Sequence, residues 1–242
     1  MSMLEIAGFG KRFTIHHLNK TMPAIENISF SLESGEFIGI VGKSGSGKST
    51  ILKSIYRTYL PDTGRILYNS EEFGLVDLSQ ISERQMLYLR KYEIGYVSQF
   101  LNVMPRTTCR QLVVNALLEM GESEELAELE AEKALTHFEL DPKLWDSYPN
   151  TFSGGEKLRL NIAMATVKKP RLLLLDEPTA SLDQQSKIKV REIIEKLKRN
   201  GTTLVGIFHD IEFMEGLCDK VYDMQSRTLT VAEEKVGVGA ES

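Results

Sequence analysis

Cysteine is scarce in this chain: Cys109 and Cys218 are its two cysteines, far apart and at no metal-ligand spacing. A disulfide framework is thereby excluded, and two reduced core thiols of a cytoplasmic protein are expected. Long apolar runs are missing as well. No stretch approaches 18 uninterrupted apolar residues, so no membrane-spanning helix is predicted. Residues 1–5 lack the basic-then-apolar order of a secretory leader. Positive charge is in deficit, with 29 Lys and Arg against 34 Asp and Glu for a net charge of −5. That balance argues against a polyanion-binding face, and nothing points to nucleic acid. What remains is an ordinary globular composition, 42% hydrophobic and 26% charged, over 242 residues. This length suits one large α/β domain or two small ones.

Against this plain background one stretch stands out: Gly42-Lys43-Ser44-Gly45-Ser46-Gly47-Lys48-Ser49-Thr50. It follows the apolar run Phe37-Ile38-Gly39-Ile40-Val41 and precedes Ile51-Leu52-Lys53-Ser54-Ile55-Tyr56, whose apolar residues recur at helical spacing. Strand, Gly-rich turn and helix start is the context that a G-x-x-x-x-G-K-[ST] match requires. The glycines let the backbone curl so that successive N–H groups face phosphate oxygens. The helix start adds its positive dipole end. Lys48 is suited to the β- and γ-phosphates of a nucleotide, and the Ser49 hydroxyl to Mg²⁺.

Either side of this loop the pattern alternates between strand and helix. Residues 3–9 and 25–32 carry β-type runs, with a polar connection from His16 to Pro23. The His16-His17 pair has no third ligand nearby and reads as a solvated loop. Phe13 is either a packed strand aromatic or a face on which adenine stacks. Pro61-Asp62-Thr63-Gly64 is turn chemistry, followed by a short strand at 65–69. Residues 79–91 have helical periodicity, and Ile94-Gly95-Tyr96-Val97-Ser98-Gln99 is strand-like. From 107 to 168 the pattern is helical, with an acidic block at 122–132 on a solvated face and Leu126, Leu129 and Leu135 turned inward. Leu172-Leu173-Leu174-Leu175-Asp176-Glu177 reads as a central parallel strand ending in two carboxylates, which such a strand delivers beside the Gly-rich loop. A helix at 186–198 and a strand at 203–208 ending in His209-Asp210 follow. The βαβ alternation predicts a parallel sheet.

At Phe152-Ser153-Gly154-Gly155-Glu156-Lys157 a second Gly-rich turn opens a helix. With the motifs above and Ser181-Leu182-Asp183, the chain resembles the ATP-binding cassette (ABC) ATPase family over essentially its whole length. Ser153, Gly154, Gly155 and Glu156 match the family's signature, Leu172 to Asp176 its Walker B strand, Gln99 its Q-loop, Ser181 and Asp183 its D-loop, and His209 its switch histidine. Two positions depart from the pattern, Phe152 for the usual Leu and Met164 for a common Arg. The resemblance implies a P-loop fold with a RecA-like parallel-sheet core, an antiparallel β subdomain and an inserted α-helical subdomain. It implies one domain over 1–242: a nucleotide-binding core from 1–99 and 169–232, a helical and signature arm at 100–168, and a tail at 233–242. It also implies ATP and Mg²⁺, the latter held by Ser49, Gln99 and Asp176. Glu177 would be the general base, with His209 and Lys48 at the γ-phosphate and Phe13 stacked on adenine. The signature would act on the ATP site of a second cassette, in a homodimer or heterodimer.

A finer resemblance rests on the stretches between and around those motifs: 54–64, 96–106, Leu144-Trp145, 151–156 and Gly206-Ile207-Phe208-His209-Asp210. These stretches are similar to ABC-type proteins of the bacterial phosphonate carbon–phosphorus lyase system. That likeness implies partners among soluble lyase subunits, and a part in making ribose 1-phosphonate 5-triphosphate from ATP and an alkylphosphonate. The alternative is the ATPase subunit of a membrane transporter of the lipoprotein-release or macrolide-export type, working with a permease. Phe100, Leu101, Val103 and Met104 form an apolar cluster that suits either partner or packs internally.

Overall fold

The computed structural model describes residues 2–15, 20–101, 105–180 and 182–231. His16-His17, residues 102–104, Ser181 and the expected tail at 233–242 lie outside them. The larger of two sheets contains β3 (Phe37–Val41), β6 (Ile94–Val97), β7 (Leu172–Asp176) and β8 (Thr203–Ile207). β9 (Lys220–Asp223) and β10 (Thr228–Val231) extend one edge. The order is β10-β9-β3-β8-β7-β6, parallel except for the antiparallel β9–β10 pair.

β7 and β8 are buried along their whole length, as a sheet covered on both faces demands. Alternate residues part into two cores. Phe37, Leu173, Leu175 and Leu204 face a helical layer. It is made of α3 (Cys109–Leu118), α4 (Glu124–His137), α5 (Gly154–Thr166) and α6 (Gln184–Arg199). Ile38, Ile40, Leu172, Leu174, Val205 and Ile207 face α1 (Lys48–Ile55) and the smaller sheet. Each fully buried leucine or isoleucine contributes about 1.5–3 kcal/mol to holding the strands that carry the site against these layers.

The smaller sheet is antiparallel, in the order β2-β1-β4-β5. Its strands are β1 (Leu4–Ile15), β2 (Lys20–Leu32), β4 (Thr63–Ser70) and β5 (Gly74–Asp77). β1 is longer than the run predicted at 3–9, and β2 starts inside the stretch read as a polar connection. Register shifts at Ile6/Phe9, Phe9/Lys11 and Lys11/Arg12 break the two-residue alternation without ending the strand.

The helix expected at 79–91 is α2 (Glu83–Tyr92), started by a capping box in which Ser82 and Gln85 satisfy each other's backbone N–H. On α4 one expectation is corrected. Leu126 and Leu129 are 40% and 50% exposed, and the buried stripe is Ala127, Ala131 and Leu135. Small side chains at i and i+4 let α4 lie close against α3, and the two leucines fall on the outer side of that stripe.

Candidate nucleotide site

β3, β8, β7 and β6 lie side by side and run the same way, so the segments beyond their carboxyl ends emerge in a row. In order along that row stand the Gly-rich loop, His209, Asp176 with Glu177, and Gln99. Open α/β sheets bind ligands along such a line of strand ends.

The loop from Gly42 to Gly47 has positive φ at Gly42, Gly45 and Gly47, and Gly47 sits in the left-handed region at 91°. A Cβ there would lie 2.8 Å from the Ala24 carbonyl oxygen, so glycine is required both by conformation and by space. Lys48, 4% exposed, folds back over the loop and donates to the carbonyls of Gly42 and Lys43 at 2.9 and 3.1 Å. Its charge therefore lies within the curl. The Ser46 hydroxyl is buried without a protein partner, while Lys43, Ser44 and Gly45 are exposed. Thr50 continues into α1, its N–H on the Gly47 carbonyl at 2.9 Å.

Ser49 Oγ donates to Asp176 Oδ1 at 2.8 Å, joining α1 to the end of β7. Two hard oxygens at hydrogen-bond distance, one of them on a 7% exposed carboxylate, are a donor pair that suits Mg²⁺. The orphaned Ser46 hydroxyl fits a cradle built for phosphate oxygens. Asp176 has a further partner at Oδ2, the Tyr96 hydroxyl at 2.6 Å. Burial, then the bonded Asp176, push that hydroxyl's pKa far above the ordinary tyrosine value, so it stays a donor. Glu177 Oε1 stands 2.8 Å from His209 Nε2. Glu177 has φ 51°, a left-handed backbone uncommon for a long side chain. The two residues line a cleft of 490 Å³ with Thr179, Lys187 and Asp210. Asp210 accepts from Lys187 at 2.7 Å, and that bond first of all holds its carboxyl below the ordinary range.

The second Gly-rich turn starts α5 by a capping box. Ser153 Oγ accepts from the Glu156 N–H at 3.3 Å, and Glu156 Oε2 accepts from the Ser153 N–H at 2.7 Å. Ser153 and Gly154 are exposed. Gly155 is buried against the start of α6, where Asp183 caps the helix through the Ser186 N–H at 2.9 Å.

The family model described as "ABC transporter" matches residues 25–180. A protein of Brucella ovis named as a peptide import ATP-binding protein is 33% identical over 223 residues, 90% of this chain and 68% of that one. The chain belongs to the ABC transporter family of ATP-binding cassettes. The methionine import ATP-binding protein MetN 1 of Listeria innocua is 31% identical, over 93% of this cassette and 64% of its own length. The solved structures give the same fold. The cassette MJ0796, in a dimeric post-hydrolysis state bound to ADP and Pi, superposes with a TM-score of 0.85 at 26% identity, over 96% of this chain and 99% of that one. Cassettes of this family are ATPases that bind ATP with Mg²⁺, and the P-loop fold is the one expected.

Not every expected residue joins this cluster. Phe13 lies on β1, edge-on to Tyr59 at 5.2 Å with Lys11 Nζ 5.8 Å from its ring. Asp62 steers it there by accepting from the Arg12 N–H at 2.6 Å, a bond that holds Asp62's carboxyl low. Gln99 is exposed beside Phe100, which is 65% exposed. The loop they begin is tied to α5, because Asn161 Nδ2 donates to the Ser98 carbonyl at 2.9 Å. Met164 packs against the apolar layer, where an arginine's charge would need a partner. Tyr96 and Asn161 stand out only weakly in the sequence. The available signal was a hydroxyl and an amide, each inside an otherwise apolar strand or helix face. No cluster of three metal-ligating side chains occurs among the described residues, and no helix there is long and apolar enough to cross a membrane.

Proposed function

We propose that this cassette hydrolyses Mg-ATP between two copies of the fold and uses the closing and opening of that sandwich to remodel a partner. The observation that carries the reading is the Glu177–His209 pair at 2.8 Å beside the Ser49–Asp176 pair at 2.8 Å. Glu177 would take the proton of the attacking water, and His209 would hold that carboxylate in place while reaching the γ-phosphate. Lys48 would leave its own loop carbonyls for the β- and γ-phosphates. Ser49 and Asp176, with Gln99 from the neighbouring loop, would hold Mg²⁺, which when bound neutralises phosphate charge. Phe13 would stack on adenine. Ser153, Gly154, Gly155 and Glu156 would address the nucleotide of the second cassette, with Ser181 and Asp183 at the seam; the exposure of Ser153 and Gly154 supports this. Loss of the γ-phosphate would open the sandwich.

For the partner we propose soluble subunits of a phosphonate carbon–phosphorus lyase assembly. ATP would there support formation of ribose 1-phosphonate 5-triphosphate from an alkylphosphonate. Support comes from the resemblance of the stretches around the nucleotide motifs, above all 96–106 and 206–210. In this reading the cassette drives a conformational step, since each motif residue serves ATP hydrolysis. A second reading, the ATPase of a membrane importer, is favoured by the import names of the Brucella and Listeria relatives. Capture of the Glu177→Gln variant from its native cells with Mg-ATP in mild detergent separates the two. Soluble lyase subunits in the eluate support the first reading. A polytopic membrane protein overturns it in favour of the second.

A further inference from the structure

The carboxylate of Asp176 is held from two sides. Ser49 Oγ donates to Oδ1 at 2.8 Å and the Tyr96 hydroxyl to Oδ2 at 2.6 Å. One bond leaves a carboxylate free to swing about it; two bonds, one to each oxygen, fix its plane. Tyr96 is itself braced. Its ring lies 5.1 Å from that of Tyr56, over which the Arg90 guanidinium sits at 4.8 Å. Arg90 also donates to the Tyr56 carbonyl from Nε and Nη2, at 2.9 and 2.7 Å. The hydroxyl is thus the end of a rigid stack running from α2 through α1 to β6. Tyr96 packs against the same apolar core as Ile94, where a part-buried hydroxyl is costly unless it is bonded.

We propose that Tyr96 is a positioning residue for the divalent cation. By holding Oδ2 it keeps Oδ1 of Asp176 turned toward Ser49 Oγ and toward the cation that those two oxygens would share. This rests on reading Ser49 and Asp176 as the cation's partners. A ligand already fixed in its bound orientation loses less freedom when the cation arrives, and hydrogen bonds from beyond the ligands do this in metal sites generally. Tyr96→Phe removes the bond and keeps the ring stack.

The test is Mn²⁺ binding to the full chain with saturating ADP, followed by electron paramagnetic resonance, for wild type, Tyr96→Phe and Asp176→Asn. ADP affinity in EDTA is measured alongside as the control for folding and for the nucleotide pocket. Tyr96→Phe is expected to weaken Mn²⁺ binding by about tenfold, the low end for such outer partners, and to leave ADP affinity in EDTA unchanged. Wild-type Mn²⁺ affinity in Tyr96→Phe, alongside a loss in Asp176→Asn, overturns the role of Tyr96 alone. Wild-type affinity in Asp176→Asn as well overturns the cation reading and this inference with it. An equal fall of ADP affinity in EDTA for Tyr96→Phe also overturns it, since the hydroxyl would then shape the pocket at large.

Discussion

His209 Nε2 stands 2.8 Å from Oε1 of Glu177, tying the chain beyond β8 to the residue that follows β7. The bond links two neighbouring strands of one rigid sheet, so the carboxylate is aimed before any substrate arrives. With the carboxylate as general base, Glu177→Gln should lower the ATPase kcat by at least about 100-fold while ATP affinity stays within about twofold. His209→Ala should also lower kcat, since the carboxylate loses its tether. Steady-state phosphate release together with nucleotide binding separates the two effects. Equal losses in binding and turnover would refute the assignment.

Phe13 is held in place by the Asp62 carboxylate and buttressed by Tyr59. A base stacked on an aromatic ring gains about 1–3 kcal/mol, so Phe13→Ala should weaken ATP binding about tenfold, and Phe13→Trp should restore it. Equilibrium titration with a fluorescent ATP analogue reads this directly. Undiminished binding by Phe13→Ala would place adenine elsewhere.

Gly155 lets α5 lie on the first turn of α6. A Cβ there would stand 2.6 Å from Ser186 Oγ and 3.1 Å from Ser186 Cβ. Gly155→Ala should therefore destabilise the fold by about 1–3 kcal/mol. Ser186→Ala in the same chain removes the nearer contact and should recover part of the loss. Urea unfolding of the two single variants and the double variant gives the coupling, and a zero coupling would exclude this contact as the cause.

Burial pushes the thiols of both Cys109 and Cys218 up to about 12, and both are free. Raised pKa values leave the neutral thiol dominant throughout the ordinary pH range, with about one thiolate in ten thousand at pH 8. Ellman's reagent at pH 8 should leave the native chain unmodified over minutes and titrate two thiols in guanidinium chloride. Rapid native reaction at either thiol would contradict its burial.

Much of the candidate site is legible in the sequence because its parts are contiguous. Residues 42–50, 172–177 and 153–156 each carry strand or helix context and chemistry in one short window. Phe13 and Asp62 were legible only as an aromatic and a turn, since the bond between the Arg12 N–H and Asp62 spans two strands. The length of β1 was hidden by its bulges, and β5, β9 and β10 are four residues each, too short for alternation to show. Leu126 and Leu129 misled because leucine marks a buried face only when smaller neighbours do not take it. Tyr96 was unreadable for a different reason: its partner Asp176 is 80 positions away, and only the pairing of β6 with β7 brings them together.

The Asn161–Ser98 bond has a thermodynamic corollary. It couples the loop that begins at Gln99, where a partner would press, to α5, the helix that Ser153 caps. Energy passed through such a link runs equally in both directions. A partner that tightens nucleotide binding about tenfold must itself be held about tenfold more firmly while nucleotide is bound. Cutting the link with Asn161→Ala would lower both factors together, never one alone.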